Sequence, residues 1–143
     1  MAKTSELEAL YRATTYRVFL PGGHCDLRID QPCEKLSCWL ETAGASNFAI
    51  ITACNPGSQL VDAAKNAEQQ SLLECDLLEG NYEPYAGENV ADDAAWPVEE
   101  SCFVADIAAE DACALGQDYG QNAVVFGGAD GVPRLLWIEY GDA

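Results

Sequence analysis

The sequence predicts one α+β domain in which a mixed β-sheet, with a hairpin at each end, packs against about four helices. A length of 143 residues is typical of a single domain, and 49% hydrophobic residues suffice for a packed core. Strand-like and helix-like segments alternate along the chain, and the strand-like segments nearest its two ends read as hairpins. We therefore expect residues 1–143 to fold as one domain.

The N-terminal part is expected to hold a helix followed by a hairpin. Ser5, with Glu8 three residues later, forms a capping box and predicts the start of the first helix. Residues 15–20 are rich in β-branched and aromatic side chains, and residues 25–29 alternate apolar and charged ones. The Pro-Gly-Gly turn at 21–23 predicts that these two strands pair.

A second helix and a buried strand come next. Pro32 suits the first turn of a helix that ends near Gly44. Residues 48–53 are apolar enough to form a central strand that is buried on both faces.

The longest helix is expected to begin at residues 55–58 and to run to about Leu78. Either Asn55 or Ser58 could be its N-cap, and the sequence fits both. The free N–H groups of that first turn could then face an anion or a carbonyl group.

In the C-terminal half, residues 80–97 form the least regular region, with one short strand at most, near residues 82–85. A strand–helix–strand unit follows and predicts a right-handed parallel crossover, which makes the sheet mixed. The predicted elements are a strand at 101–107, a helix at 108–119 and two closing strands at 123–126 and 134–140.

The net charge of −17 arises after residue 35, because residues 1–35 hold equal numbers of acidic and basic side chains. Residues 66–133 contain no Lys or Arg. Such a field repels phosphate backbones, so we expect no ordinary nucleic-acid binding. It could favour a basic protein partner, imitate a nucleic acid, or only keep the protein soluble.

Location and cofactors are predicted from what the sequence lacks. No segment approaches the ~20 apolar residues of a membrane span, and acids stand where a signal peptide has its apolar core. We expect a cytoplasmic protein that does not bind membranes. No Gly-x-Gly-x-x-Gly motif or phosphate-binding loop is present, so we expect no cofactor.

The seven cysteines are expected to be free thiols, since their number is odd and several lie in apolar segments. His24, Cys25, Cys33 and Cys38 could supply four zinc ligands, but their spacing is unlike the usual zinc motifs and we expect no metal.

Polar residues stand where helical spacing predicts core. Asn66 and Gln70 share a stripe with Leu73 and Leu77, so their amides should face the sheet and need partners. Polar clusters also begin the strands near residues 99 and 121. If the 48–53 strand runs antiparallel to those two, all these groups meet at one sheet edge. The predicted ligand-binding residues are Asn55, Ser58, Asn66, Gln70, Ser101, Gln121 and Asn122, with Glu99 or Glu100 as the candidate general base.

A series of motifs follows in order along nearly the whole chain: Tyr11, Thr14, Tyr16 and Val18, residues 51–58, Asn66, Trp96, residues 99–101, residues 114–116, residues 120–123 and residues 135–137. In these segments the chain resembles the bacterial domain-of-unknown-function family 3293. The resemblance implies domain boundaries and polar clusters but no reaction.

The chain departs from the family pattern at four positions. Cys54 stands where an aromatic residue is expected, Glu100 where proline is expected, and Gln69 and Gln117 where basic residues are usual. The missing positive charges argue against an anionic ligand.

Three functions fit the sequence. The first is a binding module for a small polar ligand or a partner's peptide. The second is an enzyme in which Glu99 or Glu100 is the general base and the Asn55 and Gln121 amides polarise a carbonyl. The third is an acidic protein that binds basic partners through its surface field.

Overall fold

The computed structural model of the chain describes residues 5–139, which form four α-helices, a short 3₁₀ turn and seven strands. This confirms the α+β class. The elements are α1 (Ser5–Arg12), β1 (Thr14–Leu20), β2 (Gly23–Leu27), α2 (Glu34–Ala43), β3 (Asn47–Ile51), the 3₁₀ turn (Pro56–Ser58), α3 (Ala63–Glu79), β4 (Tyr85–Ala91), β5 (Glu99–Ala105), α4 (Ala109–Asp118), β6 (Ala123–Gly128) and β7 (Arg134–Trp137). The part of the predicted last strand beyond residue 139 lies outside the described residues.

The seven strands form one curled sheet in the order β2-β1-β4-β5-β3-β6-β7. Hairpins pair β1 with β2 and β6 with β7, as predicted. The sheet is not mixed, however, because every pairing among the described strands is antiparallel. β5 and β6 do run in the same direction on either side of α4, but the apolar strand β3 lies between them and bonds to both.

Two apolar clusters cover the two faces of the sheet. On one face Leu36 and Leu40 of α2 pack over Phe48 and Phe103, whose rings stack with centroids 5.6 Å apart. On the other face α3 and α4 pack on the sheet through a cluster that includes Leu73, Leu77, Ala112, Val104 and Ile51. Strand β3 contributes to both clusters, which explains its continuously apolar sequence.

Strand β4 overturns the prediction of an irregular segment with one short strand at 82–85. It spans seven residues and lies between β1 and β5. Its Gly-Glu-Asn stretch has low β-propensity, so the local sequence does not predict this strand. A Cβ at Gly87 would lie 2.7 Å from both the Arg17 carbonyl oxygen and Ser101 Oγ, so glycine allows the close approach of its neighbours.

The cysteines in the described residues are all free, and Cys25, Cys54 and Cys102 are buried. Burial raises the pKa of Cys25 to about 11 and that of Cys102 to about 12, so both thiols remain protonated at neutral pH. His24 and Cys25 are adjacent on β2 and point to opposite faces. Among residues 5–139, no three or more His, Cys, Asp and Glu side chains are grouped to hold a metal ion.

Within residues 5–139, no helix combines the length and apolar character that crossing a bilayer requires.

Candidate functional site

A cavity of about 180 Å³ lies between α1 and the sheet face that also carries α2. No residue of α1 is buried, and Leu10 is 61% exposed although it lines the cavity. Helix α1 is therefore a cover over the cavity rather than part of the core. The apolar walls are formed by Leu7, Leu10 and Tyr11 of α1 and by Tyr16, Ile50 and Val125 of the sheet.

Glu99, the first residue of β5, lines this cavity and is half-buried. Its Oε2 accepts hydrogen bonds from Asn55 Nδ2 at 2.8 Å and from Trp96 Nε1 at 3.2 Å. Burial raises the pKa of Glu99, while hydrogen bonds from Asn55, Trp96 and Asn89 act in the opposite direction. The carboxylate is thus fixed in place by its neighbours and is costly to keep charged.

The Asn55 side chain stabilises its own loop and donates a hydrogen bond to Glu99. Asn55 is 2% exposed and has a left-handed backbone, with φ of 48°. Its Oδ1 accepts from Val61 N at 3.0 Å and from Asn66 Nδ2 at 2.9 Å, and its own N–H donates to Asn66 Oδ1 at 2.9 Å. These bonds offset the cost of the unusual backbone and leave Nδ2 directed at the carboxylate.

The start of β6 closes the site from the other side. Gln121 Nε2 donates to the carbonyl oxygens of Cys54, at 3.0 Å, and Tyr119, at 3.3 Å. Asn122 Nδ2 donates to Ser58 Oγ at 3.1 Å. These bonds attach the 3₁₀ turn and the end of β3 to the start of β6.

The structure brings most of the predicted site residues together at one sheet edge. Strand β3 does run antiparallel to β5 and β6, so its C-terminal end meets the starts of both strands. Asn55, Ser58, Gln121 and Glu99 line the cavity. Asn66 and Asn122 lie behind them and hold the loops through hydrogen bonds to Asn55 and Ser58.

Within the described part of the chain, three further predicted residues have side chains that neither line the cavity nor bond to the side chains that do. Gln70 is buried on the α3 side, where it accepts from Ala53 N at 3.1 Å and donates to Cys102 Sγ at 3.4 Å. Ser101 is buried in the sheet beside Gly87. Glu100 follows Glu99 on β5, so its exposed side chain points to the opposite face.

The long helix does not begin at residues 55–58, and neither Asn55 nor Ser58 is its N-cap. Positive φ angles at Asn55, Gly57 and Ser58 break the chain there, and α3 starts at Ala63. Asp62 is the N-cap, because its side chain accepts from Lys65 N at 2.8 Å. A carboxylate thus occupies the helix N-terminus, which removes the anion site predicted there.

Several cavity residues were missed from the sequence. Trp96 lies in an irregular segment, and the signals for a role are its place in the family pattern and its position three residues before Glu99. Tyr11 and Leu10 follow ordinary helical spacing, which predicts core packing rather than a cavity wall. Cys54 lines the cavity too, and burial raises the pKa of its thiol.

The pH dependence of stability should show that burial disfavours the charged form of Glu99. A raised folded pKa means that Glu99 stabilises the fold most below its ordinary value of 4.5 and loses that contribution as the pH rises through the folded pKa. In Glu99→Gln the side chain does not titrate. Its melting temperature should fall less than that of the wild type between about pH 4 and pH 7. Glu100→Gln is the control, and equal slopes for all three proteins would contradict this account of Glu99.

Comparison with known proteins places the chain in a family. The protein-family model described as "Protein of unknown function (DUF3293)" matches residues 51–124, from the last residue of β3 into β6. This range contains Asn55, Glu99, Trp96 and Gln121. No curated protein and no solved structure matches the chain. Because the match covers just over half of the 143 residues, the chain belongs to the DUF3293 family of proteins of unknown function.

Proposed function

We propose that the protein is a binding module that holds a small molecule in the cavity under α1, with Glu99 as the polar anchor. The observation that carries the proposal is a largely apolar cavity with one half-buried carboxylate on its wall. A cavity of 150 Å³ is enough to bind benzene, so about 180 Å³ admits one ring with a short substituent.

The amide groups support the site rather than forming its whole contact surface. Asn66 and Gln70 are occupied by bonds to the protein, and Gln121 Nε2 donates to two carbonyl oxygens. Asn55 Nδ2 and Trp96 Nε1 bond to Glu99. The proposed ligand therefore meets the carboxylate, Ser58 Oγ and the apolar wall, while the amides keep these groups in position.

A ligand screen with a blocked cavity tests the proposal. Ala91, on β4, lines the cavity, and Ala86 is exposed on the opposite face of the same strand. Thermal-shift screening against small metabolites should give hits with the wild type and with Ala86→Phe, but not with Ala91→Phe. Hits that persist in Ala91→Phe place binding elsewhere, and the absence of any hit contradicts the proposal.

An enzyme is the second candidate, with Glu99 as the general base. The supporting observation is that burial raises the pKa of this cavity-lining carboxylate, as a base working near neutral pH requires. The companion role for the Gln121 amide loses support, since its Nε2 already has two acceptors. A hit from the screen that is chemically converted by the wild type, and not by Glu99→Gln, would favour the enzyme.

The third candidate is an acidic protein that binds basic partners through its surface charge. A net charge of −17 suits a basic protein partner and opposes ordinary nucleic-acid binding. We propose the cytoplasm as the location.

A further inference from the structure

We propose that the cavity selects a cationic ligand: a protonated amine or amidinium attached to an apolar body about the size of one aromatic ring. This inference rests on the proposed function, since it names the class of molecule that the cavity binds.

The charges at the cavity favour a cation. Among residues 5–139, the acidic residues lining it are Glu99 and Asp93, and no Lys or Arg lines it. The surrounding protein has a net charge of −17. Within the described part of the chain, a ligand carboxylate or phosphate would meet two like charges and no counter-charge at the cavity, whereas an ammonium group would be attracted by both acids.

The Glu99 carboxylate has acceptor capacity left for the ligand. A carboxylate offers about four acceptor sites, and Asn55 and Trp96 both bond to Oε2. Burial raises the pKa of Glu99, and the Asn89 amide is a third neighbour that acts to lower it. The ligand N–H groups would form a charge-assisted hydrogen bond, which is about twice as strong as a neutral one.

A second acceptor lies beside Glu99. Asn89 pairs with Glu99 across β4 and β5 and also lines the cavity. Its Oδ1 is buried and has no hydrogen-bond partner among the described residues. Because Oδ1 is closed to solvent, a ligand N–H reaches it only after the amide turns toward the cavity, and would then remove the cost of an unpaired buried acceptor.

The aromatic residues suit the same ligand. Trp96, Tyr11 and Tyr16 all line the cavity. Aromatic faces attract cations and also pack against an apolar ring. The cavity thus combines an acceptor for the charged end with aromatic surface for the body of the ligand.

Three probes of similar size and different charge test this inference. Benzylamine is the cation, benzyl alcohol the neutral analogue and benzoate the anion. Calorimetric titration should show benzylamine binding the wild type at least about tenfold more tightly than benzyl alcohol, with benzoate weakest. In Glu99→Gln this preference should fall to about threefold or less, and in Glu100→Gln it should persist. A cooperative melting transition, monitored by circular dichroism, confirms that each variant is folded.

The outcomes separate this inference from the proposed function. If benzyl alcohol binds as tightly as benzylamine, and Ala91→Phe abolishes both, the cavity is a binding site but the cationic class is wrong. The same holds if benzylamine does not bind at millimolar concentration while other compounds bind in the screen. If neither these probes nor the screen gives binding that Ala91→Phe removes, both proposals are wrong. An unchanged benzylamine preference in Glu99→Gln also contradicts the inference.

Discussion

Replacing Asn55 with alanine is expected to destabilise the protein by about 3 kcal/mol or more. Alanine in a left-handed conformation costs roughly 1–2 kcal/mol, and Asn55 has φ of 48°. The substitution also leaves Val61 N and Asn66 Nδ2 without their acceptor, at about 1–3 kcal/mol for each group that stays buried, and removes one of the hydrogen bonds to Glu99. Urea denaturation at neutral pH measures the loss.

Two matched variants divide this effect into its parts. Asn55→Gly relieves the backbone strain but still lacks the side-chain hydrogen bonds. Its stability should therefore lie between those of the wild type and Asn55→Ala. Asn81 also has a left-handed backbone, with φ of 68°, and is exposed. Asn81→Ala should therefore lose only the backbone part. If Asn55→Ala costs no more than Asn81→Ala, the side-chain network does not hold the loop.

Replacing Phe103 with alanine is expected to cost about 3–5 kcal/mol, a large share of a typical domain's stability. The ring is fully buried, stacks on Phe48 and meets the edges of Trp39 and Tyr85 at centroid distances of 5.7 Å and 6.3 Å. Its removal leaves a cavity that these rigid rings cannot fill. The free energy of unfolding in urea is the measurement.

Phe19, which is 43% exposed on β1, provides the control for that substitution. Phe19→Ala removes the same atoms without opening a buried cavity, so it should cost less than about 1 kcal/mol. Similar losses for the two variants would mean that the cluster under α2 is not a packed core.

The sequence predicted the elements whose pattern and burial agree. Strand β3 is apolar on both faces because it packs against α2 on one side and α3 on the other, and this pattern is visible in the sequence. The terminal hairpins were predicted from turn residues and alternation, and the structure confirms them. The family resemblance is confirmed over residues 51–124.

The failures have a common physical cause: they concern residues whose conformation is set by distant partners. Strand β4 is held by β1 and β5 on its two sides, which no local preference of Gly-Glu-Asn could indicate. Similarly, the start of α3 was predicted at residues 55–58. That interpretation took Asn55 or Ser58 for the helix N-cap, whereas the Asn55 side chain bonds to Asn66 and Glu99.

Part of the candidate site was accessible from the sequence for a related reason. Asn66 and Gln70 were predicted at core positions that require partners, and both have them. Glu99 and Gln121 were predicted from polar clusters at the starts of strands, and their side chains bond to the loop at residues 54–55. The cavity itself was not accessible, because it depends on how α1 lies over the curled sheet.

The central claim is that a ligand binds in the cavity beside Glu99, and side-chain N–H resonances in nuclear magnetic resonance spectra test it most directly. Each tryptophan contributes one indole signal, and Trp96 Nε1 donates to Glu99, whereas Trp39 belongs to α2 and packs against the apolar cluster under that helix. On titration with benzylamine, we expect the Trp96 indole and the Asn55 side-chain amide signals to shift progressively and the Trp39 indole signal to stay fixed. Shifts confined to residues of the acidic surface, with the Trp96 signal unmoved, would contradict the account.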